Sequence, residues 1–322
     1  MAVVTEDKGN RGLRAQNRLG DRAFEGVTLG FAAVVVLSAV VLLLGILTQA
    51  WPALSKVGLG VLGSQVWDPN HDRYGALAFV YGTVVTSLLA LLLTGVVGIM
   101  IAVFLVELAP PMFARPIGFL VEMLAAVPSI IYGLWGIFVL IPLLIPVEDW
   151  LNQHLGFIPL FGGTPAPSGS VLIAGLVLAI MILPTVAAIS RDVMAAVPDS
   201  QREGILALGA TKWEMVRKVV IPYARAGIIG ALVLGLGRAV GETMAVTMVI
   251  GNDPHVHASL LSPGYSLAAV LANEAGDTVN TLHISALFEL GLLLFLISIG
   301  LNVLARLLVW SVNRGTARGK RR

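Results

Sequence analysis

Arg238 and Glu242 are two charges placed where charge is expensive, inside the run L-G-L-G-R-A-V-G-E-T-M-A-V-T of residues 234–247. Counted from the start of an apolar stretch at residue 224, Arg238 lies about 21 Å deep at 1.5 Å per helical residue. An arginine near a bilayer centre costs at least about 2.5 kcal/mol, so it is expected to face protein or a pathway instead of lipid. A continuous helix would set Arg238 and Glu242 on one face at i,i+4 spacing, with Thr243 beside them. Gly230, Gly237 and Gly241 would make a smooth strip next to that face for close approach of another helix. A guanidinium stays charged at any relevant pH and offers paired donors to a tetrahedral oxyanion. Glu242 would then hold Arg238 in place, or lower the local positive field so that a bound anion can leave. The alternative is a buried ion pair that fixes helix register and touches no substrate. Glu122 and Glu289 also fall in or near apolar stretches and are further candidates for lining a route.

A second informative segment runs from Arg191 to Arg225, too long and too charged for a simple turn. From Asp199 to Pro222 it reads D-S-Q-R-E-G-I-L-A-L-G-A-T-K-W-E-M-V-R-K-V-V-I-P. Asp199 or Ser200 can cap a helix start, Glu203 falls in its first turn, Gly209 interrupts it, and a second basic helix begins at Trp213. Ile205, Leu206, Leu208, Trp213 and Met215 would form an exposed apolar set suited to a partner's groove. The alternative is an amphipathic helix lying on lipid.

The elements that must position these residues are membrane helices. Apolar residues make up 57% of the chain and charged residues 12%, far below the roughly 25% charge of soluble domains. Lipid must therefore solvate most of the surface. Six stretches, near residues 27–49, 77–106, 117–146, 170–190, 224–250 and 284–309, are long enough to span a core that takes about 20 helical residues. Pro128, Pro142 and Pro184 should kink the third and fourth. All but three of the 21 Lys and Arg fall on one side of these spans; Lys56 and Arg73 fall on the other and Arg238 within. The basic side is expected to be cytoplasmic, with both termini there. This divides the chain into a tail at 1–26, a six-span domain at 27–310 containing the 191–225 loop, and a basic tail at 311–322. The basic end is expected to anchor to lipid headgroups and not to nucleic acid. The outward loops 50–76, 147–169 and 251–283 are rich in turn formers and look like a docking or vestibule surface.

The 191–225 loop resembles the EAA loop of ABC importer permeases, whose pattern is E-A-A, three residues, Gly, nine residues, then I-x-L-P. Glu203, Gly209 and Pro222 fall in register, with Val219 and Ile221 at the aliphatic places, although Gly204 and Ile205 replace the two alanines. The G-R-A-V-G-E-T run, with V-P-S-I-I-Y-G at Val127 to Gly133, is similar to the PstC-type permeases of bacterial phosphate ABC importers. The resemblance covers about residues 75–310. It implies an all-α integral membrane protein of six spans with the type I importer (MetI-like) permease fold, multi-pass in the bacterial plasma membrane. It also implies a substrate pathway through Arg238, Glu242 and Thr243, and an ATPase-coupling element including Glu203, Gly209, Ala210, Thr211 and Trp213. Its implied partners are a second, PstA-like permease, two PstB-like ATP-binding subunits that carry ATP and Mg, and an extracytoplasmic PstS-like phosphate-binding protein.

The chain itself is expected to be no enzyme. It has no G-x-x-x-x-G-K-[ST] loop, the nearest fragment being Gly209-Ala210-Thr211-Lys212, and no Ser-His-Asp set within a span. There are no cysteines. The five histidines, at 71, 154, 255, 257 and 283, fall in outward loops or at a span edge and are expected to hold no metal. A permease for another oxyanion, sulfate or molybdate, and a stand-alone secondary transporter are the competing readings.

Overall fold

The computed structural model describes residues 9–163 and 165–319. Of the expected tails, the residues before Gly9, Lys8 among them, and the last three, Lys320 to Arg322, lie outside the described residues. The chain divides at residues 49 and 50 into two compact units. The first is helical from Gly9 onward, within α1 (Gly9–Lys56), so the tail expected at 1–26 is helix over its described part. Apolar side chains from Phe24 to Leu47 are exposed along it, as a helix solvated by lipid requires.

Among the described residues six helical stretches are long and apolar enough to cross a membrane: Gly20–Lys56, Leu77–Leu108, Ser129–Leu155, Val171–Ala195, Lys212–Val240 and Thr281–Leu304. Two of the expected spans are divided. The stretch expected at 117–146 is α3 (Pro111–Ala125), a break at 126–128, then α4 (Ser129–Trp135) and α5 (Ile141–Leu155). Pro128 ends one helix and opens the next because it disfavours helical backbone in the residue before it. The stretch expected at 224–250 is α9 (Ile221–Val240), then Gly241 to Thr243, then α10 (Met244–Val249).

Proline shapes the helices more gently elsewhere. The segments Gly136–Leu140 and Val216–Val220 are π-helical, closed by Ile141 N–H to Gly136 O and Ile221 N–H to Val216 O, and each lies just before a proline, Pro142 or Pro222. Proline has no N–H and its ring clashes with the carbonyl four residues back; a widened turn makes room for it. Pro184 lies inside α6 (Val171–Ala195) without interrupting it.

The core is built on α6, the most buried of the spans. It packs against α2 (Leu77–Val103) and α9. Small residues permit this: a Cβ at Gly98 would sit 3.3 Å from Val186 Cγ1, and one at Gly235 2.8 Å from Val186 Cγ2. Thr94 Oγ1 donates to Ala179 O at 2.9 Å, a polar tie between α2 and α6.

The loops expected to face outward are knotted together. Glu274, at the end of α11 (Leu267–Glu274), accepts from Trp67 Nε1 at 2.8 and 3.0 Å. His283, buried in the first turn of α12 (Thr281–Gly319), takes the Val279 N–H on Nδ1, so its Nε2 carries the hydrogen and donates to Glu274 at 2.9 Å. Asp253 lies 2.5 Å from His255 Nδ1 and 2.9 Å from His257 Nε2. Burial raises that carboxyl, but the two imidazole hydrogen bonds outweigh it and hold Asp253 below the usual carboxylate range. These histidines are therefore ordered by carboxylates, not merely solvated. Among the described residues no group of three acidic or imidazole side chains could hold a metal.

The tightest backbone approach in α2 is at Gly82, where a Cβ would fall 2.2 Å from Tyr265 O. Gly82→Ala is expected to cost about 1–3 kcal/mol by overpacking, read as a lower thermal midpoint of the purified protein. Gly95→Ala meets only the flexible Leu232 Cδ2 at 3.4 Å and should leave the midpoint close to wild type.

Candidate functional site

Arg238 occupies the last turn of α9, where a cation is favoured by the helix dipole. The helix stops at Val240, so the i,i+4 pairing with Glu242 does not form. Gly241 caps α9, and Glu242 lies in the break, where its Oε1 accepts the Ala245 N–H of α10 at 3.2 Å. The side-chain partner of Arg238 among the described residues is instead a neutral hydroxyl, Thr185 Oγ1 on α6, at 3.4 Å from Nη1. Thr243 begins α10, its carbonyl accepting from Thr247 Oγ1 at 2.7 Å. A glycine, then an acceptor side chain, then an apolar run is a stop and restart signal, and G-E-T carries it.

The two runs G-R-A-V-G-E-T and V-P-S-I-I-Y-G meet here. A Cβ at Gly133 of α4 would lie 2.6 Å from Met248 Sδ and 3.2 Å from Ala245 Cα, and one at Gly136 2.6 Å from Val249 Cγ1. Tyr132 is buried beside them, its hydroxyl donating to Leu124 O at 2.8 Å. V-P-S-I-I-Y-G thus supplies the helix that covers the broken fifth span. Gly230 and Gly237 have open space where a Cβ would be, so the expected smooth strip is left uncovered by the described residues.

The two lesser carboxylates lie elsewhere. Glu122 pairs with Arg191 at 2.8 Å, a partner from the end of α6 that its neighbours in sequence could not reveal. Glu289 is 1% exposed and neither of its oxygens has a hydrogen-bond partner among the described residues.

The loop between α6 and α9 forms a helical hairpin. α7 (Asp199–Ala207) starts after Pro198 with no side-chain cap, so neither Asp199 nor Ser200 serves as one. Gly209 adopts φ +85°, the left-handed turn expected of a helix-stopping glycine. The second helix, α8 (Lys212–Met215), starts one residue before Trp213 and is capped by Thr211, whose Oγ1 accepts from Glu214 N–H while Glu214 accepts the Thr211 N–H. Of the apolar set, Leu206, Leu208 and Trp213 are exposed, Leu208 at 87%. Ile205 and Met215 instead join a core cluster with Ala102, Met194 and Val197. Glu203 and Ala210 lie on the same hairpin, Glu203 exposed.

Sequence reasoning missed what ties this hairpin down. Arg202 on α7 pairs with Glu107 at 3.1 Å, and the two side chains are 14% and 7% exposed. Its Nη2 donates to Met194 O at 2.8 Å, its Nη1 to Val197 O and, at 2.9 Å, to Asp199. One guanidinium thereby joins α7 to the ends of the second and fourth spans. Replacing Arg202 with Met leaves the Glu107 carboxylate buried without its partner, a loss expected to cost about 3–5 kcal/mol. The pair Arg202→Met with Glu107→Leu should recover much of it. Thermal midpoints of the single and double variants measure both.

The family described as binding-protein-dependent transport system inner membrane component matches residues 95–314. A phosphate transport system permease protein PstC of Xylella fastidiosa is 42% identical over 315 residues, covering 96% of each chain. One of Mesorhizobium japonicum is 43% identical over 303 residues, covering 92% of each. A probable PstC of Methanocaldococcus jannaschii is 37% identical over 287 residues, covering 87% of this chain and 91% of its own. In fold, the chain is similar to a chain of the MetNI methionine ABC transporter in an inward-facing conformation, with TM-score 0.54 at 19% identity, covering 73% of this chain and 95% of that one. The sequence match to named transporter permeases thus runs over nearly the whole length of the chain. The chain belongs to the family of binding-protein-dependent transport system inner membrane components, in the branch whose members are named phosphate transport system permease protein PstC.

Proposed function

We propose that this chain is a pore-forming subunit of an ATP-driven importer of inorganic phosphate. The observation that carries the reading is the state of Arg238. It is a guanidinium at a break in a membrane helix, with a neutral hydroxyl as its described partner and Glu242 turned to the backbone of α10. Such a group has donors to spare for a passing oxyanion, and phosphate is the cargo in the names of relatives that cover nearly the whole chain. Glu242 contributes in a different way from the one its spacing suggested. By capping α10 it holds the break open next to Arg238 and adds a negative field that keeps the anion from being trapped.

The chain is a permease, not an enzyme, and ATP and Mg belong to partner subunits. The exposed side of the α7–α8 hairpin, with Glu203, Gly209, Ala210, Thr211 and Trp213, is the surface proposed for one of the two ATP-binding subunits. Three exposed apolar side chains beside a glycine turn suit insertion into a cleft. Placing that hairpin, and both termini, in the cytoplasm follows the distribution of Lys and Arg. The strip of Gly230 and Gly237 suits a second permease subunit packing beside the pathway. The knotted outward loops would receive an extracytoplasmic phosphate-binding protein.

Arg238→Leu should abolish uptake of radiolabelled phosphate by membrane vesicles while the ATP-binding subunits still co-purify with the chain. Uptake at the wild-type rate in that variant would sink the pathway role. In wild-type vesicles unlabelled phosphate should compete, and sulfate and molybdate should not. Competition by either of those would move the assignment to another oxyanion.

A further inference from the structure

Away from the proposed pathway lies an open crevice of about 460 Å³ at the edge of the membrane domain. It is bounded by α3, by the π-helical end of the second span (Phe104–Leu108) and by the end of α6. Leu105, Val106 and Phe119 form apolar walls, and Arg115, Glu122 and Arg191 supply its charge. α3 is amphipathic in an unusual sense. Its polar positions, Arg115 and Glu122, turn toward α6, and the buried Gly118 between them lets Arg191 Nη1 approach so closely that a Cβ would lie 2.8 Å from it. Met112, Phe113, Leu120 and Met123 are exposed on the rest of its surface. Such a helix lies among acyl chains at the border of the bilayer.

The charges of the crevice are not equally engaged. Arg191 is occupied: it donates to Asp192 through Nε and Nη2, at 3.1 and 2.8 Å, and its Nη2 also reaches Glu122 Oε1 at 2.8 Å. Arg115 is exposed, and among the described residues it has no ion pair or hydrogen bond. Glu122 meets Arg191 through Oε1 while its side chain stays 46% exposed. Counting Asp192, which lies outside the crevice lining but against Arg191, the two arginines and two carboxylates balance, and Arg115 is the cation left without an ion pair among the described residues, above apolar walls that open toward lipid. A fixed anion pocket would carry surplus positive charge; a balanced one suits a ligand that is itself a dipole.

We propose that this crevice binds the headgroup of a zwitterionic membrane phospholipid, with its phosphate on Arg115, its ammonium on the half-exposed Glu122 carboxylate and its acyl chains along Leu105, Val106 and Phe119. The bound lipid fastens α3 to the end of α6 and completes the wall there that the protein leaves open. The site is separate from the transport reading, and its test does not depend on uptake.

The transporter complex, purified in detergent and stripped of lipid, is titrated with phosphatidylethanolamine, phosphatidylglycerol or inorganic phosphate and read by native mass spectrometry. Phosphatidylethanolamine should bind in preference to phosphatidylglycerol. Arg115→Ala should weaken its retention about tenfold, the scale of one charge-assisted hydrogen bond, and Arg115→Lys should keep most of it. Ala114→Trp, which fills the crevice without touching a charge, should displace the lipid, so a folding defect at Arg115 does not decide the outcome. Glu122→Gln should erase the preference for the ethanolamine headgroup. Wild-type retention in both Arg115→Ala and Ala114→Trp would overturn the proposal. So would an Arg115-dependent site filled by inorganic phosphate and not by the phospholipid.

Discussion

At membrane depth there is no water to satisfy a freed backbone group, so a helix can be broken only where protein covers the break. The fifth span is broken at Gly241 to Thr243, and much of the surrounding structure follows from the need to cover it. Glu242 takes the Ala245 N–H, Thr247 Oγ1 takes up the Thr243 carbonyl, and Asn252 Nδ2 donates to Thr247 O at 2.9 Å. α4 approaches through Gly133 and Gly136, where any side chain would collide with α10. That approach in turn requires the third stretch to be divided at Pro128, so that α4 can turn inward while α3 stays at the border.

A second consequence concerns how force could reach the break. From Lys212 to Val240 the chain is helical throughout, with one widened π turn before Pro222. At 1.5 Å per residue, Trp213 and Arg238 sit on one rod separated by about 38 Å. The same hairpin is fastened by Arg202 to Glu107, Met194 and Val197, so it cannot tilt without pulling the ends of the second and fourth spans. On the proposed reading, a push at Trp213 arrives at Arg238 as movement of a rigid helix against α6, where Thr185 is its contact. A buried ion pair adds little net stability. Its use here is to make two elements move as one.

Much of this was legible in the chain, and the gaps have physical causes. Span number followed from apolar length, and the turn at Gly209 from its place after a short amphipathic run. The division of the fifth span is hidden because 224–250 is apolar enough for one helix, and the i,i+4 spacing of Arg238 and Glu242 suits a helix face as well as it suits a cap at G-E-T. Arg202 to Glu107 and Arg191 to Glu122 join residues distant in sequence, which periodicity cannot register. Ile205 and Met215 belong on the surface with Trp213 only if the loop has no floor. Once α7 lies on the ends of α2 and α6, those two side chains point down into the cluster around Met194.

The separation of Arg238 from Glu242 sharpens the chemistry that their spacing suggested. A bonded pair would have to break its own contact before taking up an anion, at a cost that rises as the dielectric around it falls. With Glu242 engaged by a backbone N–H and Arg238 by a hydroxyl at 3.4 Å, that exchange would be smaller on the proposed reading: the anion would displace a long neutral contact. Yet a bare guanidinium would hold a multiply charged anion too firmly for transport. The carboxylate four residues on, fixed by the helix it caps, would offset part of that attraction without competing for the same donors. Weak but directed binding is what a permeating ion needs, and on the proposed reading it would come from breaking the helix between the two charges.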